Sequence, residues 1–138
     1  GQMFADARQR GMQIPFYNTD VEQHIASLDR LEAECDLVVL PVGDCDLAMV
    51  YNGRAMGAVV PPGTIVLLKA IDADAIIPGE EYVIVCQKIV TLRIVRAADA
   101  EGKYRLVPGD RENFDDIVVN ASDITSVYKV KGKLIINS

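Results

Sequence analysis

The chain has 138 residues, which suits one domain, and its 50% hydrophobic and 25% charged residues exclude a disordered chain. Its net charge of −6 argues against direct binding of nucleic acid, because affinity for a phosphate backbone comes largely from clustered Lys and Arg. No apolar run approaches the roughly 20 residues that a membrane-spanning helix needs, so no membrane partner is expected.

The cysteines and glycines carry no signature of a bound group. Cys35, Cys45 and Cys86 are odd in number and form no CxxC pair, so we expect three small buried hydrophobes in a reducing cytoplasm. The glycines form neither a GxGxxG pattern nor a Walker loop. The sequence therefore predicts a cytoplasmic protein with no metal and no cofactor.

The N-terminal part is predicted to contain a linker, an extended piece and one helix. Residues 1–13 are mostly polar, which is typical of a linker, and residues 14–138 are predicted to form the domain. Residues 14–18 are expected to be extended because a proline at position 15 disfavours helix before it. Thr19 and Glu22 fit a capping box, and apolar residues at helical spacing predict a helix over 21–32 whose opposite face is solvated.

From Asp36 onward, short apolar runs alternate with turn residues, which predicts strands. The predicted strands cover residues 37–42, 47–51, 64–70, 81–87, 89–96, 104–107, 117–119 and 126–136. The last of these is predicted as a hairpin around Lys131-Gly132. The expected fold class is therefore mainly β with one short N-terminal helix.

Most of the polar residues that could carry chemistry have a simpler structural interpretation. His24 is the only histidine, and it lies at the edge of the helix's apolar face, where packing is favoured over catalysis. The acidic pairs Asp44/Asp46 and Asp72/Asp74 could bind a metal or serve as acid and base, but neither has a third ligand at a recognisable spacing. Turn and capping roles are therefore favoured for these acids.

The segment VYNGRAMGAVVPPGTIVLLK, residues 50–69, has two strand-like runs on either side of a glycine turn. Enzymes often place a nucleophile on such a turn, because two rigid strands hold one side chain in a fixed position. The small residue at the centre of this turn, Gly53-Arg54-Ala55-Met56-Gly57, is an alanine.

The order of segments resembles the C-terminal domain of LexA-type and phage-type repressors, a self-cleaving peptidase family that shares a fold with signal peptidase. The segments are IPFYNTDV, VGDCD, the glycine turn with its flanking strands, GEEYVIV, TLRIVR, YRLVPGD and ITSVYKVKGKLIINS. The resemblance covers residues 14–138, and its most specific part is the turn followed by a strand that opens at Gly63-Thr64. It implies a complex of twisted antiparallel sheets, and a DNA-binding helix-turn-helix domain, absent here, ahead of the linker.

The resemblance also implies that a catalytic serine and lysine have been lost. Carried over position by position, the nucleophilic serine falls on Ala55 and the basic lysine on Arg93, with Gly53, Arg54 and Met56 lining the cleft. Alanine has no oxygen with which to attack, and arginine stays protonated and cannot act as a base.

The function that the resemblance implies is a catalytically inactive regulatory and dimerisation domain of a bacterial or phage-type transcriptional regulator. It would form a homodimer through the C-terminal strands, 126–136, and reach DNA only through the absent domain. Two alternatives remain open: the old cleft binds a peptide or an effector, with Arg93 anchoring a carboxylate, or the chain is a hydrolase with an unrecognised arrangement.

Overall fold

The structure, a computed structural model, describes residues 12–39 and 44–135. These residues form one sheet of nine hydrogen-bonded strands. The strands are β1 (Met12–Asp20), β2 (Cys35–Val39), β3 (Leu47–Tyr51), β4 (Thr64–Ile71), β5 (Glu81–Cys86), β6 (Val90–Ala97), β7 (Lys103–Val107), β8 (Ile117–Asn120) and β9 (Ile124–Leu134). One α-helical turn, α1 (Val21–His24), and 3₁₀ turns at Ile25–Arg30, Ala73–Ala75 and Ala121–Asp123 complete the regular structure. The prediction of a mainly β fold with one short helix is confirmed.

The strand order is β2-β1-β3-β4-β9-β5-β6-β7-β8. The strands therefore pair in one continuous order, and all neighbours are antiparallel except β1 and β3, which are parallel. The last strand of the chain, β9, lies between β4 and β5. It thus joins the N-terminal strands to the C-terminal strands.

The core forms on both faces of this sheet because successive side chains of a strand point to opposite sides. In β3, Met49 and Tyr51 pack with Val21 of α1 on one face, whereas Ala48 packs with Phe16 of β1 on the other. A third buried cluster lies on strands β5 to β9. The helical segment consequently covers the face of β3 that carries Tyr51, the last residue before the glycine turn.

The predicted helix over 21–32 is shorter and starts differently. Helix α1 has one turn, and the 3₁₀ segment after it is kinked at Ser27. Asp20, rather than Thr19, is the N-cap, because its carboxylate accepts a hydrogen bond from the Gln23 backbone N–H at 3.2 Å. The side chain of Glu22 bonds to a distant strand instead of completing a capping box, so that prediction was wrong.

The predicted hairpin over 126–136 was also wrong, because β9 is a single strand through Leu134; Ile136 lies outside the described residues. Leu68 pairs with Val130 and Leu67 pairs with Gly132, so Lys131 is an extra residue in β9. A glycine within a strand often marks such a bulge. The Lys131-Gly132 dipeptide therefore bends a strand instead of reversing the chain.

The remaining strand predictions agree with the structure to within one or two residues. The strand predicted over 37–42 is β2, and its residues 40–42 lie outside the described part of the chain, as does most of the linker predicted over 1–13. Cys45 and Cys86 are buried as predicted, but Cys35, the first residue of the edge strand β2, is exposed. Within the described residues, no helix combines the length and the apolar character that crossing a membrane requires.

Candidate functional site

The glycine turn connects β3 to β4 and is closed at its base. The backbone N–H of Gly63 donates to the carbonyl oxygen of Tyr51 at 2.7 Å, where the two strands separate. Inside this loop, Gly57 N–H donates to Arg54 O and Val59 N–H donates to Met56 O, each at 3.1 Å. The prediction of a glycine-containing connection between two strands, here residues 52–63, is thus confirmed.

The side chains on the turn are arranged so that its centre faces inward. Ala55 is only 8% exposed and Met56 is fully buried, whereas Arg54 is exposed. Ala55 and Met56 therefore lie within the domain, whereas the Arg54 side chain is directed to solvent. The methyl group of Ala55 occupies the position that the resemblance assigns to a nucleophile.

Gly53 is closely packed against two side chains. A Cβ atom at this position would lie 2.6 Å from the Tyr51 hydroxyl and 2.7 Å from Glu22 Oε1, distances that real Cβ atoms do not show. The preceding residue is fixed as well, because the Asn52 backbone N–H donates to Asp20 Oδ1 at 2.9 Å. The start of α1 and the start of the turn are therefore held together by the carboxylate of Asp20.

Arg93 on β6 is buried, with 7% of its surface exposed. Its Nη1 donates to the backbone carbonyl of Asp115 at 3.0 Å, whereas its Nε is buried without a hydrogen-bond partner among the described residues. No carboxylate of the described residues forms an ion pair with it. The guanidinium therefore stands where the resemblance places the base, and a backbone carbonyl holds it.

Glu22 reaches the same region from α1. Its Oε2 accepts a hydrogen bond from the Leu92 backbone N–H at 2.9 Å, in the part of β6 that precedes the first residue paired with β7, Ile94. Burial raises the pKa of Glu22, and the hydrogen bonds from Leu92 and the Thr91 side chain oppose this rise, as does the charge of Arg93. The carboxylate thus satisfies a strand N–H that β7 leaves free.

The hydroxyl of Tyr51 completes a buried polar cluster, which we define as Glu22, Tyr51, Thr91 and Arg93. Burial raises the pKa of Tyr51 to about 12, the charge of Glu22 adds to the rise, and the nearby Met56 N–H opposes it. The hydroxyl nevertheless makes no well-aligned hydrogen bond with the described residues. A phenol with so high a pKa stays neutral at physiological pH, so it supplies no nucleophilic oxyanion.

The connection between β7 and β8, residues 108–116, lies over the turn, and we call it the cover segment. The Asp110 backbone N–H donates to the carbonyl oxygen of Ala55 at 2.9 Å. Gly109 packs so closely that a Cβ atom there would lie 2.1 Å from the carbonyl oxygen of Met56. Because Asp115 accepts the bond from Arg93, the cover segment contacts both positions that the resemblance assigns to the lost dyad.

The other polar candidates have structural roles or stand apart from the turn. Asp46 accepts a hydrogen bond from the Ala70 N–H at 2.9 Å and pairs with Lys69 at 3.2 Å, which fits the predicted capping role. His24 is half-buried at the end of α1. Across the described ranges, no group of three or more His, Cys, Asp and Glu side chains is arranged to hold a metal ion.

Sequence reasoning missed Glu22, Tyr51 and the cover segment as parts of this site. Glu22 was assigned to a capping box on a solvated helix face, and Tyr51 was counted only as a strand residue. No local signal in the sequence indicates the contact of Glu22, because its partner Leu92 lies 70 residues away.

When the chain is compared with known proteins, no family model and no curated protein matches it.

Proposed function

We propose that the chain is a catalytically inactive, LexA-like regulatory and dimerisation domain of a bacterial or phage-type transcriptional regulator that works in the cytoplasm. The observation that carries the proposal is the pair of buried residues Ala55 and Arg93. Ala55 lies on the turn between β3 and β4, where the resemblance requires a nucleophile, and Arg93 lies on β6, where it requires a base.

The chemistry of these two residues supports the absence of catalysis. A methyl group cannot attack a carbonyl carbon, and a guanidinium keeps its proton at any physiological pH. The serines that the structure describes are Ser27, Ser122 and Ser126, and all three are exposed and lie outside the glycine turn. Thr91 has a buried hydroxyl, but it bonds to Glu22 from within a strand, so it is not presented to a substrate.

The proposed dimer rests on the free edge of β9. This strand pairs with β4 through Leu134 but with β5 only through Lys129, so its last residues have one unpaired edge. Leu134 and Ile135, at the end of this edge, are 43% and 48% exposed. An unpaired strand edge is a template for another strand, and two copies related by a two-fold axis present the same edge to each other.

Charged side chains flank this edge and are paired within the chain. Lys129 pairs with Glu80 at 2.8 Å, and Lys133 pairs with Glu81 at 3.1 Å. Because these charges neutralise one another, the edge does not present a block of like charge to a second copy. DNA would be contacted only by the absent N-terminal domains, which the dimer would hold at the spacing of a two-fold operator.

The two alternatives have weaker support. A peptide- or effector-binding cleft would need an open turn and an Arg93 side chain free to bind a carboxylate, but the cover segment lies on the turn and accepts the bond from Arg93. A hydrolase with another arrangement would need an activated nucleophile, which the buried polar cluster does not offer.

Treatment with a fluorophosphonate reagent tests the inactivity of the chain, because such reagents form a covalent bond with an activated serine whether or not a cleavable linker is present. We expect the intact mass of the protein to stay unchanged, and the full-length regulator to stay uncut at alkaline pH, where active relatives cleave themselves. An adduct on any serine, or a specific fragment cut near the linker, would show that the chain is a hydrolase.

A further inference from the structure

The cover segment has a shape that its own side chains stabilise. Asp110 Oδ1 accepts a hydrogen bond from the Asn113 backbone N–H at 3.2 Å, and its Oδ2 accepts one from Asn113 Nδ2 at 3.0 Å. The Phe114 N–H donates to the carbonyl oxygen of Asp110 at 3.2 Å. The hydrogen bonds from Asn113 lower the pKa of Asp110. The segment thus has hydrogen bonds of its own in addition to its contacts with the turn.

The far end of the segment is anchored separately. Asp116, whose side chain is 14% exposed, pairs with Arg105 of β7 at 3.4 Å and with Arg111 of the segment at 3.2 Å. The pair with Arg105 holds the end of the segment to β7, whereas the pair with Arg111 lies within the segment. They do not involve the glycine turn, so the contacts with the turn can be broken without releasing the anchor.

Three contacts join this unit to the site. These are the bond from Asp110 N–H to Ala55 O, the packing of Gly109 on Met56 O, and the bond from Arg93 Nη1 to Asp115 O. Of the three, only the bond from Arg93 uses a side chain. A hydrogen bond with a charged donor is roughly twice as strong as one between neutral groups, and the long planar guanidinium reaches a carbonyl from within the sheet.

We propose that the cover segment is a strap that closes over the glycine turn, and that Arg93 is the latch that holds it closed. In the closed state, the backbone carbonyls of Ala55 and Met56 are covered, so an extended peptide cannot pair along the turn. The arginine at the position of the base then has a conformational role of its own. The strap and its latch are formed by contacts within this chain, so they do not depend on whether the domain descends from a peptidase.

Amide hydrogen exchange of the intact chain measures the opening of the strap. The reporter is the Asp110 N–H, which is protected by its bond to Ala55, and the reference is the Val83 N–H in the central strand β5. We expect Arg93→Ala to accelerate exchange at Asp110 by roughly tenfold or more while Val83 is unchanged, because loss of one charge-assisted bond lowers the free energy of local opening. Arg96→Ala is the matched control, since Arg96 is an exposed arginine on the same strand.

A second variant opens the strap without touching Arg93. Gly109→Ala places a Cβ atom against the carbonyl oxygen of Met56, so the segment cannot close, and protection of Asp110 should be lost. Trypsin should then cut after Arg111 faster in both variants than in Arg96→Ala. The proposal is overturned if exchange at Asp110 is equally fast in Arg93→Ala and Arg96→Ala. It is also overturned if exchange at Asp110 and Val83 accelerates together, because the protein would then unfold globally.

Discussion

At the scale of single residues, Glu22 explains more of the site than any other side chain. Its carboxylate is withdrawn from water, bonds to the Leu92 N–H, and approaches Gly53 so closely that a Cβ atom there would require the Glu22 side chain to shift. A buried carboxylate is costly unless hydrogen bonds and opposite charge compensate it, and here two hydrogen bonds and Arg93 do so only in part, because the pKa of Glu22 is still raised. The sequence of the turn and that of the helix are therefore coupled through one carboxylate.

The raised pKa of Glu22 predicts a dependence of stability on pH. Because the folded protein binds this proton more tightly than the unfolded chain, whose pKa is near 4.5, the contribution of Glu22 to stability is fully present below pH 4.5 and is lost as pH rises through the folded pKa. The free energy of unfolding of the wild type should thus fall relative to Glu22→Gln over this window in urea titrations. Glu32→Gln, an exposed control, should show no such divergence from the wild type. If the free energy of unfolding of the wild type and that of Glu22→Gln change in parallel with pH, the burial of a charged Glu22 is contradicted.

What the sequence predicts at this scale depends on distance along the chain. The turn around Ala55 was predictable because its glycines and flanking apolar runs are local features. The partner of Glu22 was not, because Leu92 is 70 residues away and nothing in the spacing of either residue indicates the contact. The burial of Ala55 could not be predicted either, since the residues that cover it come from the connection between β7 and β8.

At the scale of elements, the junction between β1 and α1 is the part on which the turn depends. Asp20 ends β1 in an extended conformation, and its two carboxylate oxygens accept from Gln23 N–H and Asn52 N–H. One side chain therefore caps the helix and fixes the first residue after β3. A helix of a single turn has little stability of its own, so it needs this cap and the packing of Val21 and Ile25.

Removal of this cap should destabilise the domain more than removal of a nearby surface acid. We expect Asp20→Ala to lower the free energy of unfolding by about 1 to 2 kcal/mol, because an N-cap bond and a second backbone bond are lost together. Asp29→Ala, an exposed position in the following 3₁₀ segment, serves as the control and should change stability little. Equal midpoints for the two variants in urea unfolding would show that Asp20 does not connect the helix to the turn.

The strands were predictable because alternating apolar residues and glycine turns specify them locally. The prediction of a hairpin in the last strand was wrong for a physical reason. The dipeptide Lys-Gly is compatible with a turn and with a bulge, and the pairing of Leu67 with Gly132 decides between them. The predicted length of the helix was also wrong. The apolar spacing of Val21, Ile25, Leu28 and Leu31 is that of a helix, but Ser27 is not helical, and the chain continues as a 3₁₀ segment over the core.

At the scale of the whole molecule, the position of β9 in the middle of the sheet carries the functional proposal. The strand completes the core between β4 and β5 and then runs past the end of its pairing with β5, which leaves a short free edge. The sequence predicted apolar C-terminal strands, but it could not show that one strand serves both the core and a free edge. That division follows from where β5 begins, which depends on the turn before it.

The free edge predicts which surface substitutions affect association. Leu134→Asp should weaken the dimer by roughly tenfold or more, because it places a charge where two apolar strand ends meet. Val118→Asp is the matched control, since Val118 is 49% exposed on the edge strand β8, which strands β5, β6 and β7 separate from β9, and it should leave association unchanged. Both positions are exposed enough that neither substitution should prevent folding. If both variants associate as tightly as the wild type, the β9 edge is not the interface.

Sedimentation equilibrium of the unmodified chain tests the proposed function most directly, because a dimerisation domain must associate without help from a DNA-binding domain. The account predicts that the measured mass rises with concentration to twice the chain's 15.1 kDa and stays there. A mass that remains at 15.1 kDa at concentrations far above those in a cell would contradict it.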